Sequence, residues 1–168
     1  MLSTSQCVRW SPDGKLLAVG KQDGVVLLFS PQRDGPVHQL TADDGPVLDL
    51  TWSPDSQLLG TVGTSDNAMI WNVGNGNVTQ SLSGHRGSVM SIDWHPEGGR
   101  IATCSTDATV RIWDPKSGTE ALRLRGVHRT GELRRVRWSN NGRSLAVADT
   151  TGKITIWNAD MPLRQRPQ

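Results

Sequence analysis

The chain has 168 residues, 35% hydrophobic and 20% charged, with a formal net charge of +2 and two cysteines. This is one domain's worth of chain, long enough for a real core. No stretch approaches the ~20 apolar residues of a membrane span, the opening MLSTSQ does not read as a secretory signal, and two unpaired cysteines suit a reducing compartment, cytosol or nucleus.

In chain order, four segments repeat one pattern: VRWSPDGKLLAVGKQDGVVLLF at 8–29, LTWSPDSQLLGTVGTSDNAMIW at 50–71, IDWHPEGGRIATCSTDATVRIW at 92–113 and VRWSNNGRSLAVADTTGKITIW at 136–157. Each opens on a short apolar run, passes a turn cluster (SPDG, SPDS, HPEG, SNNG), and continues through a second run and a Gly/Asp/Asn turn. A third run then ends in an aromatic residue. Short runs rich in Val, Ile, Leu and Thr, separated by evenly spaced turns, predict β-strands throughout and no helix. Between the copies lie further candidate strands, PVHQL, VTQSL and ALRLR.

The seven tryptophans mark the period. Trp10, Trp52, Trp94 and Trp138 form one ladder and Phe29, Trp71, Trp113 and Trp157 another, with steps of 42, 42 and 44 in each. A fixed period of this length means one structural unit copied four times. KLLAVG and VVLLFS are apolar on both parities, which predicts strands covered on both faces. A radial stack of small antiparallel sheets, a β-propeller, meets both conditions.

The segment from Gly84 to Asp114, with its Gly-His pair, SPDG-type turn and closing Trp-Asp, resembles a nearly complete WD repeat, and the likeness extends over residues 7 to 158. The resemblance implies an all-β fold of four antiparallel WD-repeat propeller blades in a single domain, at about 1–42, 43–84, 85–128 and 129–160, with a disordered tail at 161–168. It also implies a buried hydrogen-bond chain, carried here by Trp113, Thr103, His85 and Asp107. Only the third copy has the full set. The second keeps Trp71 and Thr61 but has Asp43 at the histidine position. The first has Phe29 and Val19, and the fourth has Trp157 and Val147, with His128 in its longer loop.

A His beside an Asp and a Thr also occurs in catalytic sites, but here the set coincides with the repeat's internal network. Asp49, Asp93 and Glu97 read as scattered carboxylates, turn-forming or solvated, and no acid-base pair emerges. GNGN at 74–77 lacks the strand-loop-helix context of a phosphate loop. The histidines at 38, 85, 95 and 128 fall in different copies, so no metal or cofactor is expected and the chain reads as non-enzymatic.

Charge is unevenly distributed. Residues 1–118 hold 8 Lys and Arg against 12 Asp and Glu, whereas residues 119–168 hold 10 against 4. Arg123, Arg125, Arg134, Arg135 and Arg137 are the candidate contacts for a polyanion. Only Trp138 lies among them and the repeat directs it to the core, so such contact would be electrostatic and weakly specific.

What the resemblance implies for function is a non-catalytic scaffold binding proteins within a larger complex, through the loops around the Gly-His and Asp turns. The positions carried over are Arg86, Ser88, Met90 and Thr106 in the third copy, Asp44, Leu48 and Thr64 in the second, and Arg129, Arg134 and Thr150 in the fourth. The alternative is an RNA- or chromatin-associated subunit using the Arg-rich fourth repeat.

After Trp157 the chain offers only NADMPLRQRPQ, and Pro162 and Pro167 cannot donate to a ladder. The last blade is therefore expected to have three good strands and the propeller to be incomplete or open. Either a longer propeller or a two-chain ring would complete it.

Overall fold

The computed structural model describes residues 3–42, 45–125 and 132–158. They form fifteen strands and no helix. The tail at 161–168 and the residues Asp43, Asp44, His128 and Arg129 lie outside the described residues.

The first sheet is β1 (Ser5–Trp10), β2 (Leu17–Lys21), β3 (Val25–Phe29) and β4 (Pro36–Thr41), in that order. The second is β5 (Val47–Trp52), β6 (Leu58–Gly63), β7 (Asn67–Asn72) and β8 (Val78–Ser83). The third is β9 (Val89–Trp94), β10 (Ile101–Ser105), β11 (Val110–Trp113) and β12 (Glu120–Leu124). The fourth has three described strands, β13 (Leu133–Trp138), β14 (Ser144–Asp149) and β15 (Ile154–Asn158). Every pairing is antiparallel between consecutive strands, so each sheet is a meander.

The turn clusters explain why the first two strands of each blade fold back. In SPDG, Ser11 N–H donates to Leu16 O at 2.8 Å, Gly14 N–H donates to Ser11 O at 2.9 Å, and Ser11 Oγ donates to Asp13 Oδ1 at 2.7 Å. The last residue of this turn is left-handed in all four copies: Gly14 at φ 70°, Ser56 at 62°, Gly98 at 81° and Gly142 at 69°. Glycine suits that region, and Ser56 occupies it at a cost.

The first strands meet one another in sequence, β1 against β5, β5 against β9 and β9 against β13, so they line the inner edge of the stack. Each carries a β-bulge near its start, marked by register shifts at Ser5/Cys7, Val47/Asp49, Cys104/Ser105 opposite β9, and Leu133/Arg135. The skipped residues are Gln6, Leu48, Met90 and Arg134. A bulge re-aims the residues beside it.

Packing between sheets gives three apolar clusters. One joins blades 1 and 2 through Leu28, Leu40, Leu50 and Trp71. One joins blades 2 and 3 through Ile70, Leu82, Ile92 and Trp113. The last joins blades 3 and 4 through Ile112, Leu133, Val136 and Leu145. Four blades with three seams make an open arc.

Double coverage therefore holds only for inner blades. β10 and β11 are buried along their whole length. In contrast, β2 and β3 alternate between buried and half-buried residues, contrary to the expectation for KLLAVG and VVLLFS. Among the described residues no sheet covers their second face. For the same reason Trp10, a ladder residue, is 57% exposed while Trp52 and Trp94 are each 7% exposed. Trp138 stays half-buried, edge-on to the His95 ring at 4.8 Å, and its Nε1–H has no partner among the described residues.

Candidate functional site

The four residues of the expected hydrogen-bond chain come together in the third blade. Trp113 Nε1–H donates to Thr103 Oγ1 at 2.8 Å, Thr103 Oγ1 lies 2.8 Å from His85 Nε2, and His85 Nδ1 lies 2.9 Å from Asp107 Oδ2. An indole can only donate, so Thr103 accepts from it; the Asp107 carboxylate can only accept, so the hydrogen of a neutral His85 sits on Nδ1 and Nε2 accepts from the Thr103 hydroxyl. Burial lowers the His85 pKa, although the adjacent Asp107 opposes this, which agrees with that assignment. Burial alone would raise Asp107, yet bonds from Thr109, the Arg86 N–H and His85 hold its carboxyl far below the usual range.

The other blades have fragments of this chain. Trp71 Nε1–H donates to Thr61 Oγ1 at 3.0 Å in blade 2. In blade 4, Asp149 Oδ1 takes the Thr151 hydroxyl at 2.7 Å and the N–H groups of Thr151 and Lys153, a turn acceptor the sequence analysis did not single out. In blade 1, Asp23 accepts the Val25 N–H at 3.4 Å and pairs with Lys21 Nζ at 3.7 Å, outside any such chain.

A second polar constellation stands at the inner edge. Asp49 is fully buried and Asp93 half-buried, and both lie within strands, not in turns or on open surface, contrary to the reading from sequence. Asp49 receives Arg137 Nη2 at 2.8 Å, Arg9 Nη2 at 3.1 Å and the Ser91 hydroxyl at 2.7 Å, with Arg135 Nη1 at 3.6 Å. Arg137 also donates to Ser91 Oγ and to the carbonyls of Ile92 and Val136. Asp93 Oδ2 accepts the Trp138 N–H at 2.6 Å, and burial pushes its carboxyl up to about 6 against the pull of that bond and of Arg137. Thr51 Oγ1 does the same for the Trp94 N–H at 3.0 Å, one blade earlier.

The signal for this hub is positional. Cys7, Asp49, Ser91 and Arg135 are equivalent in the repeat, as are Arg9, Thr51, Asp93 and Arg137 two residues on. Both sets share the parity that faces the inner edge. Burial raises the Cys7 thiol to about 11 and Cys104 to about 12, so neither is an activated nucleophile.

The arginines that cluster in sequence are separated in space. Arg135 and Arg137 serve Asp49, while Arg134 pairs with Glu132 at 3.2 Å. Arg123 forms a fork with Glu120 at 2.8 and 2.9 Å, and Arg125 is exposed without a carboxylate partner among the described residues. Most of the basic stretch is thus engaged within the fold, which narrows what remains for a polyanion.

Of the candidate loop positions, Leu48, Met90 and Arg134 are the bulge residues of three successive inner strands, and Arg134 Nη1 reaches Met90 Sδ at 4.0 Å. Ser88 Oγ donates to Thr64 O at 2.8 Å, and Thr106 N–H donates to Ser88 O, so these three tie blades 2 and 3 together. Arg86, Thr64 and Thr150 are exposed. Asp44 and Arg129 lie outside the described residues.

Two family models match the chain: the WD domain, G-beta repeat, over residues 76–114, and the Anaphase-promoting complex subunit 4 WD40 domain, over residues 3–54. The chain belongs to the WD-repeat family. Comparison with curated proteins gives no match. WD-repeat domains generally act as non-catalytic platforms for protein-protein interaction, and the matched stretches take in blade 1 and most of blade 3 of this WD-repeat chain. Among the described residues no three His, Cys, Asp or Glu side chains are grouped to hold a metal, and no helix is long and apolar enough to cross a membrane.

Proposed function

We propose that this chain is a non-catalytic scaffold that binds other proteins within a larger complex and whose two end faces dock further blades of the same construction, supplied by a longer propeller or by a second copy of the chain. The observation that carries this is the mismatch of four blades with three seams.

At one end, the cross-strand rows Val8–Val19–Leu27 and Trp10–Leu17–Phe29 face away from blade 2. At the other, Ile154 and Ile156, 66% and 61% exposed, stand beside Ala146 and Ala148 and face away from blade 3. Apolar surfaces of this kind mark interfaces. The two faces are of opposite kind: the leading face of one blade meets the trailing face of the one before it at every seam within the chain. A second copy offers the same complement at each end, and two copies form an eight-blade ring with a two-fold axis.

The bulge residues Leu48, Met90 and Arg134, with Arg86, Ser88, Thr64, Thr106 and Thr150, then form the loop surface for other proteins. Asp44 and Arg129 belong to the same proposed set. The match to an anaphase-promoting complex subunit domain supports a place in a multi-subunit assembly of the cytosol or nucleus.

Light scattering of the purified chain is the test. The expected mass is twice 18.3 kDa, falling to the single-chain value in Trp10→Arg and Ile156→Arg. A folded monomer that does not associate at high micromolar concentration would remove the second-copy proposal.

A further inference from the structure

Beside the His85–Asp107 pair, on the outer side of blade 3, lies a cleft of about 280 Å³ lined by Arg86, Arg111, Arg123, Arg125, Asp107 and Thr109. Four guanidinium groups around one small cleft are more than its structure requires. Arg111 is 3% exposed and fixed by Glu120 Oε2 at 2.6 Å and by Asp107 at 3.8 Å. It also lies over the Trp113 ring, 5.9 Å from its centre. Arg123 shares Glu120 through its fork. That leaves Arg86 and Arg125, both exposed and without a carboxylate among the described residues.

Asp107 and Glu120 therefore neutralise two of the four cations, and two positive charges remain. His85 adds none while it is neutral. Arg111 is spent on Thr109, Glu120 and Asp107, while Arg123, held by Glu120 through Nε and Nη2, keeps a preorganised Nη1, and Arg86 and Arg125 are free to close on a ligand.

We infer that this cleft binds a phosphomonoester carried on a side chain of a partner protein, a phosphoserine or phosphothreonine. A phosphomonoester carries close to two negative charges at neutral pH and three acceptor oxygens, matching both the surplus charge and the forked donors. The cleft is also large enough for the phosphate with the carbon that bears it. Nucleic acid is the poorer fit: its charge is spread singly along a backbone, and no aromatic side chain lines the cleft for a base to stack on. The inference rests on reading the chain as a protein-binding module and specifies one feature of its partner.

The test uses the full chain labelled with ¹⁵N at arginine, titrated with acetyl-Gly-Gly-phosphoserine-Gly-Gly-amide, its unphosphorylated form, inorganic phosphate and a twelve-residue oligothymidylate. The phosphopeptide is expected to shift the Nε–H signals of Arg86, Arg123 and Arg125 at submillimolar to millimolar concentration. Its binding should weaken as pH falls from 7 through the second phosphate ionisation near 6. Arg86→Gln with Arg125→Gln should reduce affinity at least tenfold, and Arg33→Gln, at an exposed position of the first blade, should not change it.

No shift with phosphopeptide overturns the inference, as does binding unaffected by the double substitution. Equal affinity for the oligothymidylate makes the cleft a nucleic-acid site, and equal affinity for inorganic phosphate makes it a free-anion site. Arg86 and Arg125 are remote from both end faces, so the mass measured by light scattering should not change with their substitution. A monomeric chain that still binds phosphopeptide separates failure of the ring from failure of the cleft.

Discussion

Arg137 on the inner strand of the last blade places its guanidinium on the buried carboxylate of Asp49, Nη2 to Oδ2 at 2.8 Å, across 88 positions of sequence. Arg9 of the first blade grips the same carboxylate from the other side. With Ser91 of the third blade donating to it as well, one side chain gathers all four blades at the inner edge, although among the described residues no apolar cluster joins the first blade to the last.

Asp49→Asn removes the charge that three arginines share and leaves them close together without an anion. Loss of one partner of a buried ion pair costs about 3–5 kcal/mol, and the half-exposure of the arginines brings the expected value to about 2–4 kcal/mol. Arg135→Gln, whose side chain is 56% exposed and 3.6 Å from Asp49, should cost well under 1 kcal/mol. Urea unfolding of the two variants measures the contrast.

Asp93 predicts a pH effect of definite sign. Its carboxyl titrates near 6 when folded, against 3.8 ordinarily, so the folded chain holds the proton more tightly than the unfolded one. Stability from this group is present below about pH 4 and is lost as pH rises through 6. Asp93→Asn keeps an oxygen for the Trp138 N–H and cannot ionise. It is expected to match the wild type near pH 4 and to exceed it by about 3 kcal/mol at pH 7.5. Thermal unfolding of both proteins across this range would show a constant gap if the assignment is wrong.

Ala108 sits at φ 60° in the turn before β11, where the equivalent residues Gly24 and Gly152 have φ 79° and 84°. The left-handed conformation costs a residue with a Cβ about 1–2 kcal/mol, partly offset by the greater freedom of glycine when unfolded. Ala108→Gly should therefore stabilise the chain by about 0.5–1 kcal/mol. Ser56→Gly should gain less, because Ser56 Oγ accepts the Asp13 N–H from the neighbouring blade at 3.1 Å. Calorimetric melting temperatures would rank the two.

The repeat made the blades legible, since Trp52, Trp94 and the SPDG-type turns recur at one spacing and local turn chemistry follows from them. The chain Trp113–Thr103–His85–Asp107 was legible for the same reason, being carried by one complete copy. Asp49 was not. Its meaning depends on Arg9 and Arg137, 40 and 88 positions away, which only stacking of the blades brings within reach. The arginine run was misleading in a related way: neighbours in sequence on a strand point to opposite faces, and the bulge at Arg134 re-aims them again. Arg123, Arg134 and Arg137 consequently reach three different carboxylates.

The arrangement of seams also determines how the molecule comes apart. In a closed ring, freeing one blade breaks two seams together, whereas here the first and last blades each share one apolar seam, with the Arg137–Asp49 pair tying the last blade back to the second. Unfolding can start at either end and advance as a front through successive blades, as in a linear array. A docked partner would then act as a clamp on the ends, raising the cooperativity of the whole chain without touching its middle.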